Sequence, residues 1–106
     1  MPTPKPNILL IVLDTLRRDH LSAYGHHHET SPKLDAFAEK ATVFERAVSA
    51  AQWTVPSHAA MFTGLQASTH GLTQADGALS GMHPTLAEIL RGAGYQTVAF
   101  CNNPLV

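Results

Sequence analysis

The stretch from Trp53 to Gly64 (WTVPSHAAMFTG) constrains the chain more than any other. Proline suits the first turn of a helix, and glycine suits a left-handed cap at its end, so Pro56 and Gly64 predict a short helix after a loop. Thr54 then lies at the helix N-terminus. The helix dipole and backbone N–H groups there favour an oxyanion, either an alkoxide on Thr54 or an oxygen of a bound phosphate or sulfate. A plain N-cap role for Thr54 is the alternative.

The composition is that of an ordinary globular domain. Hydrophobic residues make up 44% of the 106 positions, and the formal net charge is −1, with Lys and Arg scattered along the chain. We therefore expect one small domain and no nucleic-acid surface. Cys101 is the only cysteine, which rules out an internal disulfide. With neither a secretory signal nor an apolar stretch long enough to span a membrane, the sequence predicts a soluble, cytoplasmic protein.

Alternating apolar runs and amphipathic segments indicate an α/β fold. Residues 7–13, 42–48 and 96–101 read as strands, and the first is apolar throughout, as expected for a strand buried on both faces. Helices are predicted to begin near Thr30 and Thr85, each with apolar residues spaced for one face. We expect a mostly parallel sheet flanked by helices. No helix follows the last predicted strand, so the domain is expected to be incomplete.

Polar residues near the strand ends and in the loops are the remaining candidates for chemistry. Asp14 follows the first predicted strand, where ligands collect in open α/β sheets, although an aspartate that caps a turn fits equally well. The adjacent histidines at 26–28 are poorly spaced for one metal ion. Residues 65–84 read as a loop, and His70 and His83 within it are interpreted as solvated histidines.

Several motifs occur in order along the chain and together resemble the N-terminal part of sulfatases, in the alkaline phosphatase superfamily. They cover nearly the whole sequence: NILLIVLD (7–14), TSPKLD (30–35), FERA (44–47), TVPSH (54–58) with FTG (62–64), THG (69–71) and TLAEIL (85–90).

The resemblance implies a metal-dependent hydrolase with a truncated alkaline phosphatase-like fold. In that comparison Thr54 looks like the nucleophile and a metal contact, and Asp14 looks like the first metal ligand. The remaining ligands are expected beyond Val106. The cation would be divalent: calcium, zinc or manganese. A hydroxyl is a poor nucleophile at neutral pH, so it must be bound to a cation or deprotonated by a base. Ser57 would bind substrate and His58 would orient Thr54 or the substrate oxygens, although both residues fit helix capping and packing equally well.

Two departures from the family pattern affect the expected reaction. Sulfatases usually carry two acids after the first strand, whereas Thr15 follows Asp14 here. They also use a Cys or Ser that becomes formylglycine and is followed by an Arg, and this chain has Thr54 and His58 at those places. Threonine does not give that aldehyde. It is typical of phosphodiesterase, phosphatase and phosphoethanolamine-transferase relatives.

The sequence therefore predicts hydrolysis of a small-molecule sulfate or phosphate ester by the complete protein. A phosphoryl-group transferase is one alternative, and a non-catalytic anion-binding fragment is another. Residues 1–106 alone are expected to be inactive, because one carboxylate and one hydroxyl are too few ligands for a catalytic divalent metal. The sequence sets no oligomeric state.

Overall fold

The computed structural model describes residues 5–74 and 77–105. The chain divides into two compact units, Met1–Glu45 and Arg46–Val106. Within the described residues, the first unit has two 3₁₀ turns, Arg18–His20 and Ser22–Tyr24, and one helix, Pro32–Ala38 (α1). The described residues of the second unit form the helices Thr54–Thr63 (α2), Ala67–His70 (α3) and Leu86–Gly92 (α4).

A polar cluster joins the start of α1 to the second 3₁₀ turn. The hydroxyl of Ser31, the N-cap residue, donates to Asp35 Oδ1 at 2.8 Å, and the hydroxyl of Ser22 donates to Asp35 Oδ2. The backbone N–H of Ser22 also donates to Ser31 Oγ at 3.1 Å. The Ser22 hydroxyl lowers the pKa of Asp35 most, and Ser31 adds to this effect, while desolvation opposes it. The ionised carboxylate therefore helps to hold these two segments together.

The aromatic ring of Tyr24 makes two further contacts in the first unit. Its hydroxyl donates to the carbonyl oxygen of Phe44 at 3.1 Å, and the guanidinium carbon of Arg18 lies 4.6 Å from the ring centroid. A cation over an aromatic face is attracted by the ring quadrupole. Tyr24 thus fastens the end of the first unit to its 3₁₀ turns.

Helix α2 provides the buried hydrophobic side chains of the second unit. Val55, Ala59 and Ala60 are the buried hydrophobic residues among those described, and α2 contacts both α3 and α4. Val55 and Ala59 are four positions apart and therefore lie on one helix face, and Ala60 is the next residue around the helix. Gly64 ends α2 with φ +71°, a left-handed conformation that glycine adopts without steric cost. The helix and its stop were therefore predicted correctly, although α2 begins at Thr54 and Pro56 occupies its third position.

The start of α4 also follows the sequence prediction. The hydroxyl of Thr85 accepts the backbone N–H of Glu88 at 3.3 Å, and the Glu88 carboxylate accepts the backbone N–H of Thr85 at 2.8 Å. This reciprocal arrangement is a capping box, which satisfies two donors at the open end of the helix. The predicted start of α1 at Thr30–Pro32 is likewise confirmed, with Ser31 as its N-cap.

The predicted parallel sheet is wrong. Across 5–74 and 77–105, no residue forms a strand, and the runs 7–13, 42–48 and 96–101 do not pair with a neighbouring segment. Their apolar side chains are exposed, including Leu9 at 83% and Phe100 at 96%. An apolar run indicates a tendency to be buried, whereas a β-ladder requires hydrogen-bond partners from distant positions. The apolar pattern therefore could not show whether a partner strand was present.

The interpretation of residues 65–84 as a loop is wrong in one part. Helix α3 forms there and ends at Gly71, which has φ +73°. In the part of the chain that the structure describes, every helix is too short or too polar to cross a membrane.

Candidate active site

Thr54 is the first residue of α2 and is half-buried. Trp53 precedes it with an extended backbone (φ −147°, ψ 171°), so the chain turns into the helix between these two residues. The first turn of a helix offers backbone N–H groups and partial positive charge to an anion. Pro56, in the first turn, has no backbone N–H group to offer. Thr54 therefore lies where the sequence analysis predicted it.

The His58 side chain is hydrogen-bonded to the backbone of Thr54. Its Nδ1 atom lies 2.9 Å from the Thr54 carbonyl oxygen. Because a carbonyl oxygen only accepts, Nδ1 must carry the hydrogen, and in the neutral ring Nε2 is then the unprotonated nitrogen. The ring also meets Phe62, with centroids 5.9 Å apart and planes tilted by 60°. These two contacts hold the imidazole one helical turn after the candidate nucleophile.

The Ser57 hydroxyl faces the segment that leads into the helix. It donates to the carbonyl oxygen of Ala51 at 2.9 Å, and the hydroxyl of Ser49 donates to the same oxygen at 2.7 Å. The two hydroxyl oxygens are 3.1 Å apart. Ser57 thus ties residues 49–51 to α2. Its substrate-binding role remains a prediction.

Asp14 belongs to the first unit and is exposed in a turn. The backbone N–H of Leu16 donates to the carbonyl oxygen of Leu13 at 3.3 Å, which closes the turn around Asp14 and Thr15. Thr15 has φ +66°, and it is the one non-glycine residue with positive φ among those described. This conformation is strained for a β-branched side chain. Asp14 and Thr54 belong to different units, and their shared role in metal binding remains a prediction.

The Asp14 carboxylate and the Thr54 hydroxyl are oxygen donors of the kind that a hard divalent cation prefers, but they are too few to bind one. Carboxylate and hydroxyl oxygens are typical ligands of calcium and manganese, and a calcium ion takes about six to eight oxygens. Among residues 5–74 and 77–105, no three His, Cys, Asp or Glu side chains are grouped so that they could hold a metal ion. The adjacent histidines instead contact one another, with the rings of His27 and His28 4.0 Å apart. Neither Asp14 nor Thr54 alone supplies enough donors for a metal site.

The sequence interpretation of His70 as a solvated loop residue is wrong. His70 is the last residue of α3 and only 4% exposed. Its Nδ1 atom accepts the backbone N–H of Leu72 at 3.1 Å, so the neutral ring carries its hydrogen on Nε2, which is buried without a partner among the described residues. Gly71 was the available signal that a helix ends at His70, since a glycine often follows the last residue of a helix.

Comparison with known proteins agrees with the motifs. The sulfatase family model matches residues 6–105. The chain is 35% identical over 94 residues to an arylsulfatase of Clostridium perfringens, covering 88% of this chain and 20% of that protein. It is 36% identical to human arylsulfatase D (88% of this chain, 18% of that protein) and 37% identical to bovine arylsulfatase A (87% and 19%). The chain therefore belongs to the sulfatase family.

These relatives are much longer than the chain, which spans about a fifth of their length. No solved structure matches it significantly.

Proposed function

We propose that the complete protein hydrolyses a sulfate or phosphate ester with Thr54 as the nucleophile. The main support is the position of Thr54, at the N-terminus of a ten-residue helix and bonded through its carbonyl to His58. Membership of the sulfatase family and relatives named arylsulfatase support the same class of reaction. The donor chemistry is consistent with a divalent cation bound in part by Asp14.

In the proposed reaction, Thr54 Oγ forms a bond to the sulfur or phosphorus of the ester. The bond from that atom to the ester oxygen breaks, and its electron pair leaves with the organic oxygen. The proton lost from the Thr54 hydroxyl balances the proton that the departing alcohol takes up. Water then attacks the same sulfur or phosphorus atom and releases sulfate or phosphate with the Thr54 hydroxyl restored. A divalent cation, when bound, would neutralise negative charge on the reacting oxygens. The positive end of the α2 dipole would favour the same charge from the helix side.

His58 is proposed as a positioning residue. Its hydrogen bond to the Thr54 carbonyl fixes the backbone that carries the nucleophile. Small displacements of a reacting group lower the rate strongly, so one such hydrogen bond can matter for turnover. Ser57 would act on the same end of α2 through its bond to Ala51.

Kinetics of two threonine variants test the assignment of the nucleophile. Thr54→Ala is expected to lower kcat/KM for an aryl phosphate or sulfate by roughly 10³-fold or more. Thr63→Ala is the matched control, because the Thr63 hydroxyl donates to the Ala59 carbonyl oxygen at 2.6 Å at the other end of the same helix. If Thr54→Ala retained near-normal turnover, Thr54 would not be the nucleophile. If Thr63→Ala lost as much activity, helix damage would account for the loss.

A transferase uses the same first step but passes the bound group to an alcohol other than water. Threonine in place of the formylglycine precursor is the observation that favours this alternative. Turnover of a phosphate ester with added acceptor alcohols distinguishes the two reactions. A new phosphate ester of the added alcohol would indicate transfer, and free phosphate as the only phosphorus-containing product would indicate hydrolysis.

A further inference from the structure

Two serine hydroxyls converge on one backbone carbonyl just before α2. The Ser49 hydroxyl donates to the carbonyl oxygen of Ala51 at 2.7 Å, and the Ser57 hydroxyl donates to the same oxygen at 2.9 Å. The two hydroxyl oxygens are 3.1 Å apart, so the three oxygen atoms form a small triangle. A carbonyl oxygen has two lone pairs, and each hydroxyl occupies one of them. These three groups are termed the Ala51 clamp.

The Ala51 clamp connects the segment before α2 to the helix itself. Ser49 is exposed and lies two residues before Ala51, whereas Ser57 is half-buried and is the fourth residue of α2. The backbone N–H of Ser57 also donates to the carbonyl oxygen of Trp53 at 3.3 Å. Ser57 therefore holds the chain at two points, one and three residues before Thr54, where it enters the helix.

In the Ala51 clamp, both serine hydroxyls have already used the hydrogen that they could donate. Each hydroxyl carries one hydrogen, and both hydrogens point to the Ala51 carbonyl oxygen. The ionised oxygen atoms of a sulfate or phosphate ester accept hydrogen bonds and need donors. In this arrangement, Ser57 acts on the backbone that carries Thr54 and not on the ester.

We propose that Ser49 and Ser57 are positioning residues, which hold Ala51 and thereby fix the place of the Thr54 hydroxyl in the reaction. Ser57 links Ala51 to the helix, and Ser49 fixes the turn of the segment around it, so each compensates in part for loss of the other. The inference rests on the proposed function, because the place of Thr54 limits the rate only if Thr54 is the nucleophile. A small displacement of a reacting group then lowers the rate strongly.

Single-turnover kinetics of the complete expressed protein with an aryl phosphate test this role, because they separate the chemical step from substrate binding. Ser49→Ala and Ser57→Ala are each expected to lower the rate constant of that step by roughly threefold, and the double variant by roughly thirtyfold or more. The half-saturating concentration of the ester should stay unchanged. Ser49→Thr keeps a hydroxyl at an exposed position and should retain most of the rate. Ser68→Ala, at an exposed position of α3, is the matched control and should leave both quantities unchanged.

Amide hydrogen exchange measured by NMR tests the Ala51 clamp without turnover. The backbone N–H of Ser57, bonded to the Trp53 carbonyl oxygen, is expected to exchange several-fold faster in Ser49→Ala than in the wild type. The backbone N–H of Gly64 donates to the Ala60 carbonyl oxygen at 2.8 Å at the other end of α2 and should exchange at its wild-type rate. Ser49→Thr should restore slow exchange at Ser57.

Three results would overturn the positioning role. They are a wild-type rate constant in the double variant, a raised half-saturating concentration with an unchanged rate constant in Ser57→Ala, and equal acceleration of exchange at Ser57 and Gly64. The second result would assign Ser57 to substrate binding, and the third would indicate general loosening of α2. The proposed function would survive each of them if Thr54→Ala is inactive. Full activity of Thr54→Ala, or absence of wild-type turnover, would overturn the proposed function instead.

Discussion

His58 Nδ1 lies 2.9 Å from the carbonyl oxygen of Thr54, one helical turn earlier in α2. The geometry assigns the ring hydrogen to Nδ1 and links the imidazole to the backbone of the proposed nucleophile. The Thr54 hydroxyl and the His58 ring are therefore parts of one short helical segment, held further by the Phe62 ring.

This relationship predicts a difference between two substitutions of His58. His58→Ala removes the hydrogen bond and is expected to lower kcat about tenfold, a loss comparable to one net hydrogen bond. His58→Asn places an amide N–H near the position of Nδ1 and should restore most of the rate. Steady-state kinetics on one aryl ester measure both effects. If Asn were as damaging as Ala, a role for Nε2 in proton transfer would replace the positioning role.

Thr15 predicts a gain in stability on substitution. Its φ of +66° costs an L-residue with a Cβ atom about 1–2 kcal/mol, whereas glycine adopts this conformation readily. Thr15→Gly removes this strain, and the greater freedom of the unfolded chain offsets part of the gain. The net free energy of unfolding is therefore expected to rise by about 1 kcal/mol. Urea unfolding measures the change. Thr15→Val keeps the β-branch and the strain, so a similar gain from Val would contradict the explanation.

Asp35 predicts acid sensitivity in the first unit. Its pKa is lowered in the folded chain, chiefly by the Ser22 hydroxyl, so the native state favours the ionised carboxylate. The resulting stability is present above the ordinary aspartate pKa of about 3.9 and is lost as the pH falls through the lower folded value. Ser22→Ala should raise the Asp35 pKa and shift acid unfolding to higher pH. Carboxyl NMR titration measures the pKa, and Ser68→Ala, in the exposed part of α3, should leave it unchanged.

His70 predicts a stability effect that its sequence context did not suggest. The ring is 4% exposed at the end of α3, and α3 contacts α2. His70→Ala is expected to lower the free energy of unfolding by about 2 kcal/mol, because it leaves a cavity and removes the bond to Leu72. His83→Ala serves as the comparison, since His83 is only half-buried, and should change stability by less than about 0.5 kcal/mol. Equal effects in urea unfolding would contradict the structural role of His70.

Local signals in the sequence predicted local structure well. Gly64 ends α2 and Thr85 caps α4 because the required conformation and hydrogen bonds lie within a few residues. The apolar run at 7–13 failed as a predictor of a strand, since the ladder partners of a strand come from elsewhere in the chain. The burial of His70 was missed for the same reason: it depends on which helix packs against α3. The motifs were sufficient to identify the family. The hydrogen bond between His58 and the Thr54 carbonyl could be found only in the structure.

Direct detection of the covalent enzyme intermediate tests the central claim best. The complete protein is mixed with an aryl phosphate, quenched in acid during turnover and digested, and the peptides are analysed by mass spectrometry. Phosphate on the peptide that contains Thr54, at the Thr54 hydroxyl, is the predicted result, and its absence in Thr54→Ala is the control. Phosphate on another residue, or burst kinetics with no modified Thr54 peptide, would contradict Thr54 as the nucleophile.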